Sequence, residues 1–564
     1  MERLRSVPVA DDEVEVLIVG GGAVGLTARA LLERWGVRTL LVERHREPSP
    51  FPRARLLNVR SMEIYRLLGL APEITATAFT PEYGRIRFRD TMRDRDFATA
   101  AMIGINAPVP ESPVTGVVTS QDRLEPILLA GASSPVRFGA GLVDLTEEAD
   151  GVAALIGGSH GGSLGGSHGA SRGSRPGDRT RLRARYVLAA DGANSTVRSL
   201  LGIGVSGPGR MGGFTTVVFD ADLRRWCAHR PAGVYFTAHG LFVPLYPEGG
   251  WAWIVPTPDD GPHADWPGLL SRALGGGVRA DVVRIQHWEM NAFVADRFRH
   301  GRILLTGDAA HAMPIVGGLG LNTGIADVHN VCWKLAGVLR GWASPSLLET
   351  YEAERRPVAF RTLRQAVTNT ALMLDAQNRR HQQLHPDQPP QTSVERPWSA
   401  VSGDVEFSGA EASGHVELPW SERYFAQLGL VLGVTYRSAA VLAGEGPPPE
   451  PPGADYVPGA EPGRRMPHLW LGTGRSTLDT FGEWFTVLTP DPAAWSPRTP
   501  WPLHIEPLPD EHAAFCGLTS RGALLVRPDG HIAARWPDLP PTGATLLNTL
   551  TALTGGGTEA VRRT

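Results

Sequence analysis

The chain has 564 residues, of which 42% are hydrophobic and 20% are charged, and its formal net charge at pH 7 is -3. This length is too great for one ordinary core, so about three or four domains are expected. The small net charge gives no electrostatic reason to expect a nucleic-acid or anionic-membrane partner. The three cysteines stand far apart and form no CxxC pair, which argues against a disulfide framework or a thiolate zinc site.

No stretch of the sequence reaches the roughly 18 consecutive apolar residues that a membrane-spanning helix needs. The first residues carry an acidic break before a short apolar run, unlike a secretory signal peptide. We therefore expect a cytoplasmic protein with no membrane partner.

Residues 13–45, EVEVLIVGGGAVGLTARALLERWGVRTLLVERH, have the pattern of a strand, a tight turn, a helix and a second strand. In this GxGxxG pattern, Gly20 permits the turn, Gly22 lets a pyrophosphate approach the backbone, and Gly25 lets the helix pack closely on the strand. Glu43 ends the second strand, where a carboxylate accepts hydrogen bonds from a ribose. The segment predicts a Rossmann-like dinucleotide site, and a second dinucleotide would have to bind without a Rossmann unit of its own.

The rest of the chain divides by composition. Two stretches rich in Val, Phe, Tyr and Trp predict an antiparallel sheet domain that interrupts the first domain. A Gly/Ser/His-rich stretch at 156–180 predicts a mobile surface loop. The predicted segments are 1–79, 112–205 and 296–375 for the dinucleotide domain, 80–111 and 206–295 for the sheet domain, 376–462 for a linker and helical region, and 463–564 for a C-terminal α/β domain.

Residues 301–324, GRILLTGDAAHAMPIVGGLGLNTG, place an aspartate, a histidine and several glycines after an apolar strand. The segment lacks the lysine and hydroxyl of a GxxxxGK[ST] phosphate loop. His311 has no partner ligands at metal spacing, so we expect a structural histidine and no metal site. The remaining hypothesis is that the segment forms the far wall of one cofactor pocket.

Five motifs follow one another along the chain: the glycines at 20–25, RARLLNVRSMEIYRLLG (53–69), SQDRLEPIL (120–128), AADGANSTVR (189–198) and GDAAHAMPIVGGLGLNTGIADVHNVCWKL (307–335). In this order they make the chain similar to FAD-dependent aromatic hydroxylases, the single-component monooxygenases that resemble p-hydroxybenzoate hydroxylase. Residues 462–488 and 523–536 are similar to the C-terminal domain of the subgroup that acts on phenols and aromatic polyketides, including anthracycline- and tetracenomycin-type hydroxylases.

The resemblance implies a fold: a Rossmann-like FAD-binding domain, an antiparallel-sheet substrate domain and a C-terminal thioredoxin-like domain. Since Cys516 stands alone there, that domain cannot exchange disulfides. It is expected to be structural or to contact a second copy, with a homodimer as the candidate assembly.

The resemblance also implies cofactor contacts. Glu43 would hold the adenosine ribose, Arg53 the pyrophosphate and Asp308 the ribityl or phosphate region. Asp191 would serve both FAD and the visiting nicotinamide. The full set of implied cofactor residues is Gly20, Gly22, Ala23, Val24, Gly25, Glu43, Arg44, Arg53, Gln121, Asp191, Asp308, Gly318, Gly320, Leu321 and Asn322.

The chain departs from the family pattern at Ala189, Ile315 and Leu319. With Pro314, the latter two should form the face where flavin and substrate meet. The base or substrate contact that a phenol needs is not evident, and three side chains of the sheet domain are candidates for it, with ordinary sheet packing as the alternative. These candidates are Tyr235, His239 and Tyr246.

The reaction implied is hydroxylation of a phenolic polycyclic aromatic substrate by O2 through a C4a-hydroperoxide of FAD, which NADPH or NADH has reduced. Baeyer–Villiger oxygenation of a polyketide ketone and a non-catalytic flavoprotein are the alternatives. A halogenase is disfavoured although WAWIVP (251–256) is similar to a halogenase signature. Halogenases use a lysine, and Lys334, the sole lysine of this chain, lies in the family motif WKL.

Overall fold

The computed structural model describes residues 13–158, 179–384, 428–442, 455–538 and 544–556. Most of the predicted loop at 156–180 and much of the predicted linker at 376–462 lie outside these described residues.

The strands of the described residues form three main sheets and two short pairs. In chain order they are β1 (Glu13–Val19), β2 (Thr39–Glu43), β3 (Leu56–Leu57), β4 (Arg85–Phe88), β5 (Ala98–Ala101), β6 (Val117–Val118), β7 (Val136–Phe138), β8 (Ala140–Glu147), β9 (Val152–Gly158), β10 (Arg179–Ala189), β11 (Val205–Asp220), β12 (Val234–Thr237), β13 (Gly240–Tyr246), β14 (Gly249–Pro256), β15 (Asp281–Ala295), β16 (Arg299–His300), β17 (Ile303–Leu305), β18 (His311–Ala312), β19 (Trp470–Gly472), β20 (Arg475–Ser476), β21 (Phe485–Thr489), β22 (Leu503–Pro507), β23 (Ala523–Val526) and β24 (Ile532–Trp536).

The α-helices vary from single turns to a helix of 36 residues over Glu349–Leu384. They are α1 (Ala23–Arg34), α2 (Val59–Leu67), α3 (Ala71–Ala76), α4 (Gln121–Ala130), α5 (Thr196–Leu200), α6 (Arg224–Cys227), α7 (Trp266–Leu274), α8 (Leu319–Leu339), α9 (Glu349–Leu384), α10 (Leu428–Leu432), α11 (Asp510–Phe515) and α12 (Thr545–Leu553).

The first sheet has the order β16-β17-β10-β1-β2-β7, with β8 and β9 added beside β10. The strands from β17 to β7 are parallel. Helices cover both faces of such a sheet, which explains the unbroken apolar run at Val16–Ile18. The carboxyl ends of β1, β2, β10 and β17 meet at one edge, the place where ligands bind in open α/β sheets.

The second sheet has the order β18-β15-β11-β14-β13-β12-β4-β5 and is antiparallel except between β12 and β4. It combines strands from both predicted stretches of the sheet domain. Its edge strand β18 comes from the 301–324 segment and pairs with β15. That segment therefore connects the two sheets.

The C-terminal sheet has the order β22-β21-β23-β24. Strands β21 and β22 are parallel, and β23 and β24 are antiparallel to their neighbours. With α11 before β23 and α12 after β24, this is the thioredoxin-like order that the resemblance implied. Cys516 is buried and free.

Buried charges join the C-terminal domain to the first one. The Glu354 carboxylate of α9 accepts hydrogen bonds from Arg527 at 2.6 and 2.9 Å and from Lys334 of α8 at 2.8 Å, and these three side chains are fully buried. Burial lowers the pKa of Lys334 to about 8. The pKa of Glu354 lies well below its ordinary value, because Arg527 and Lys334 outweigh the effect of burial. The two domains also share one apolar core, in which Trp333 packs edge-to-face on Phe485.

Candidate active site

A cavity of about 730 Å³ lies where the carboxyl edge of the first sheet meets the second sheet. This is within the size range of cofactor and ligand pockets. Sixteen of the residues expected to contact the cofactor or form the flavin–substrate face line it: Gly20, Gly22, Ala23, Val24, Glu43, Arg44, Arg53, Gln121, Asp191, Asp308, Pro314, Ile315, Gly318, Leu319, Gly320 and Leu321.

The glycines of the first turn are required by two close contacts. Gly20 has a φ of +111°, and a Cβ there would lie 2.2 Å from the Ala190 carbonyl oxygen. A Cβ on Gly25 would lie 2.0 Å from the Gly20 oxygen, so Gly25 serves helix–strand packing and does not line the cavity. Gly22 caps α1 without a side-chain hydrogen bond of its own, and the Glu125 carboxylate interacts with the Ala23 N–H. The other N–H groups of the first turn are available to an anion.

Glu43 stands at the end of β2 and already has protein partners. Its Oε2 accepts a hydrogen bond from the Gly21 N–H at 2.7 Å, and its Oε1 accepts one from the His45 N–H at 2.8 Å. The carboxylate thus fixes the glycine turn while it borders the cavity. Its remaining lone pairs suit the hydroxyls of a ribose.

The 301–324 segment is held from behind by Asp327 of α8. Asp327 Oδ2 lies 2.6 Å from His311 Nε2 and accepts from the Gly307 N–H at 3.2 Å, and Arg355 Nε donates to Oδ1 at 2.8 Å. His311 is fully buried in this cluster, where its contact with Asp327 attaches the segment to α8. Asp308 itself is exposed to the cavity, where loss of contact with bulk water raises the pKa of its carboxyl.

The N-terminus of α8 forms the next part of the wall. Gly318 has a left-handed conformation, with φ of +63°, and gives α8 no side-chain cap. The N–H groups of the first turn are therefore free beside the cavity. The Asn322 side chain does not line the cavity. Its Oδ1 accepts hydrogen bonds from the Asn58 N–H at 2.9 Å and the Ser61 hydroxyl at 2.6 Å, so it fixes this wall to α2.

Two departures from the family pattern differ in their surroundings. Ile315 borders the cavity with 38% of its surface exposed, whereas Leu319 is buried to 4%. Ile315 is thus the more accessible of the two to a ligand.

One face of the second sheet forms the opposite wall. A single row of cross-strand neighbours runs over five strands: Phe236, Leu241, Ile254, Thr216 and Gln286. All five line the cavity, together with residues two positions away on the same strands. Because side chains alternate between the faces of a strand, the whole row faces the same way. The further members of this face are Ile86, Val234, Val243, Trp288 and Met290.

The three candidates from the sheet domain do not line this cavity, so the geometry gives their expected substrate role no support. Tyr235 precedes Phe236 and therefore lies on the opposite face, where its hydroxyl donates to the Arg230 carbonyl at 3.2 Å and Arg89 lies over its ring. His239 lies in the turn between β12 and β13, and burial lowers its pKa. The Tyr246 hydroxyl donates to Asp122 at 2.6 Å, and burial raises its pKa to about 12.

The residues present fit an anionic dinucleotide. Two uncapped helix N-termini, those of α1 and α8, open on the cavity, and the Arg53 side chain lies exposed on its wall. Helix N-termini and arginine are the groups that proteins use to bind phosphates.

No helix within the described ranges has the length and apolar character to cross a membrane. The same ranges contain no cluster of three or more His, Cys, Asp or Glu side chains that could hold a metal ion.

Comparison with known proteins agrees with this geometry. Residues 13–366 match the family described as FAD binding domain, and residues 460–556 match the aromatic-ring hydroxylase C-terminal family. Aklavinone 12-hydroxylase DnrF of Streptomyces peucetius is 34% identical, over 87% of this chain and 95% of that protein. Tetracenomycin B2 monooxygenase-dioxygenase of Streptomyces olivaceus is 33% identical, over 93% of this chain and 95% of that protein.

Two solved structures are also similar. The flavin-dependent monooxygenase PieE, in complex with FAD and substrate, has a TM-score of 0.82 and 30% identity, over 97% of this chain and 100% of that chain. The ternary complex of aklavinone-11 hydroxylase with FAD and aklavinone has a TM-score of 0.77 and 31% identity, with the same coverage. This chain therefore belongs to the family of FAD-dependent aromatic hydroxylases and is a flavin-dependent monooxygenase.

Proposed function

We propose that this enzyme hydroxylates a phenolic polycyclic aromatic substrate of the polyketide type, with O2 as oxidant and NADH or NADPH as reductant. One observation carries the proposal. A single cavity joins the glycine-lined edge of the first sheet to a largely apolar face of the second sheet. A dinucleotide and an aromatic substrate would meet inside it.

The protein's own contribution is binding, orientation and exclusion of water. The N-terminus of α1 and Arg53 would hold the pyrophosphate, and Glu43 would hold the ribose. The N-terminus of α8 would offer N–H groups to the polar edge of the flavin ring. Bound FAD, reduced by the nicotinamide nucleotide, supplies oxygen activation and transfer. The sheet face would keep water away from the reacting ring.

The size of the sheet face favours a large planar substrate. From β4 to β15 the face spans six strands, or about 24 Å at about 4.8 Å per strand spacing. A single-ring phenol would leave much of this apolar surface in contact with water. The similar proteins named for aklavinone and tetracenomycin act on polycyclic compounds according to those names, which supports the same substrate class here.

The test is a screen of polycyclic phenols with the FAD-loaded enzyme. We expect substrate-dependent oxidation of NADH or NADPH, with a new phenolic hydroxyl in the product by NMR. A lactone would instead indicate Baeyer–Villiger oxygenation. Stimulated reductant oxidation without any oxygenated product across the panel would contradict the proposed function.

A further inference from the structure

The strands β11 and β15 place a cluster of polar groups beside the apolar side chains of the sheet face. Thr216 and Gln286 are direct cross-strand partners, and Trp288 follows Gln286 on the same face. All three line the cavity. Their neighbours in the row, Leu241 and Ile254, have no polar side-chain atoms. Within this row, the polar side chains are therefore Thr216 and Gln286, and β15 adds Glu289 and Asn291 to the cavity lining further along the strand.

The indole of Trp288 is held in one orientation from two sides. Its Nε1–H donates to the Thr216 hydroxyl at 3.0 Å. Its ring stacks on Phe214, with 5.3 Å between the centroids and 26° between the planes. The indole is only partly buried and borders the cavity. It therefore presents a fixed aromatic surface to a planar ligand at little loss of side-chain entropy.

The Gln286 amide differs because no described residue hydrogen-bonds to it. It borders the cavity and is partly exposed there. An amide carries both a donor and an acceptor, and displacing its water without replacing those hydrogen bonds is unfavourable. A ligand with a hydroxyl at this point would satisfy the amide, and a ligand without one would leave it unpaired. Sites of this kind reject the analogue that lacks the hydroxyl.

We propose that Trp288 and Gln286 determine substrate specificity in this enzyme: Trp288 stacks on the plane of a polycyclic substrate, and the Gln286 amide hydrogen-bonds one of its phenolic hydroxyls. This inference rests on the proposed function and adds to it the two side chains that would select the substrate. It assigns hydroxyl recognition to the second sheet, apart from the residues expected to hold FAD.

The test compares two probes on the FAD-loaded enzyme. Alizarin has phenolic hydroxyls and anthraquinone has the same ring system without them. Equilibrium dialysis gives Kd for each probe with the wild type and with Gln286→Leu, Trp288→Leu and Trp288→Phe. The matched control is Val283→Ala, at a bulge of the same strand and outside the cavity lining, where Val283 is 59% exposed.

We expect Gln286→Leu to weaken alizarin binding about fivefold, because one hydrogen bond is lost. The same variant should strengthen anthraquinone binding, because this probe no longer leaves an amide unpaired. Trp288→Leu should weaken both probes about tenfold, and Trp288→Phe should weaken them less because a ring remains. Val283→Ala should match the wild type. Flavin content measured for each variant checks that the fold is intact, and Trp288→Phe keeps the stacking test available if Trp288→Leu does not fold.

Two outcomes would overturn the inference. In the first, the wild type binds the probes, but Gln286→Leu changes the Kd of both probes equally or of neither, or Trp288→Leu changes the Kd of neither. The two residues then do not select the substrate, and the proposed function stands. If the wild type binds neither probe and oxidises no polycyclic phenol, both the inference and the proposed substrate class fail.

Discussion

The two walls of the cavity are built in different ways. On the first-sheet side, backbone atoms approach the ligand space, and single positions such as Gly20 and Gly25 leave no room for a Cβ. On the second-sheet side, side chains form the wall, and any apolar residue of suitable size could occupy most positions. The first wall therefore requires particular residues at particular positions. The second wall requires only that apolar side chains recur at every second position of a strand.

The strongest test of this contrast is a pair of glycine substitutions. Gly25→Val should prevent formation of a flavin-containing protein, because its Cβ would meet the Gly20 oxygen at 2.0 Å. Gly22→Ala should fold, since the nearest atom to its Cβ lies at 3.7 Å, and should lose flavin only through crowding of the phosphate. The flavin-to-protein ratio and circular dichroism separate these results. Normal flavin content in Gly25→Val would refute the close-approach argument.

A second test breaks the buried charge cluster of Glu354, Lys334 and Arg527, which joins the C-terminal domain to the first domain. Glu354→Gln leaves Lys334 and Arg527 without their shared carboxylate, so the free energy of unfolding should fall by about 3–5 kcal/mol. The matched control is Asp222→Asn, which breaks the exposed pair with Arg224 near the second sheet and should change nothing measurable. Denaturant unfolding checks both. Equal effects would mean that burial of the cluster is unimportant.

Acid should lower the free energy of unfolding through two buried histidines near this cluster. Burial lowers the pKa of His329 to about 3 and that of His531 to about 4, below the unfolded value of 6.5, with Arg60 and Arg527 adding to the effect. Between these values the unfolded chain binds protons that the folded protein does not, so stability falls as pH drops below 6.5.

At about pH 5 the loss should be roughly 2 kcal/mol per histidine. Unfolding measured between about pH 7 and pH 5 tests this. The variant with both His329→Gln and His531→Gln should have a flatter dependence. An unchanged slope would show that other groups cause the acid sensitivity.

The smallest expected effect tests the alternation of the second wall. Phe236→Leu should raise KM for a polycyclic phenol about fourfold, the effect of losing about one buried CH2 group of contact. Tyr235→Phe, one residue earlier, should leave KM and the pH profile of turnover unchanged, since its hydroxyl bonds to the Arg230 carbonyl on the face away from the cavity. Steady-state kinetics of the two variants decide the matter. A larger effect in Tyr235→Phe would reverse the assignment of the two faces.

The sequence was informative where the backbone itself must approach a ligand. The glycine turn, Glu43, Asp308 and the start of α8 all lie at one cavity because their patterns encode turns and strand ends. Their individual roles toward FAD stay predictions, as do the domain limits and the homodimer.

Other features could not be read from the sequence. The phenol of Tyr235 makes it a candidate on chemical grounds, but the register of β12 turns Phe236 to the cavity instead. The alternation of side chains along the strand shows that Tyr235 and Phe236 lie on opposite faces, but it does not show which of the two faces borders the cavity. Nor could a local pattern show that Asp327 binds Arg355 and His311, because these contacts join residues far apart in the chain.

The pairing of Glu354 with Arg527 also bears on how the protein is made. The two residues are separated by 173 positions, and a ribosome adds about 5–20 residues per second, so Glu354 waits roughly 9 to 35 s for its partner. Until then, Lys334 is the cationic partner of the carboxylate, and Glu354 Oε1 lacks Arg527, which disfavours full burial of the region around α8 and α9. The nascent flavin domain thus depends on nearly the whole chain having left the ribosome, and a chain truncated before Arg527 should be a substrate for chaperones and proteases.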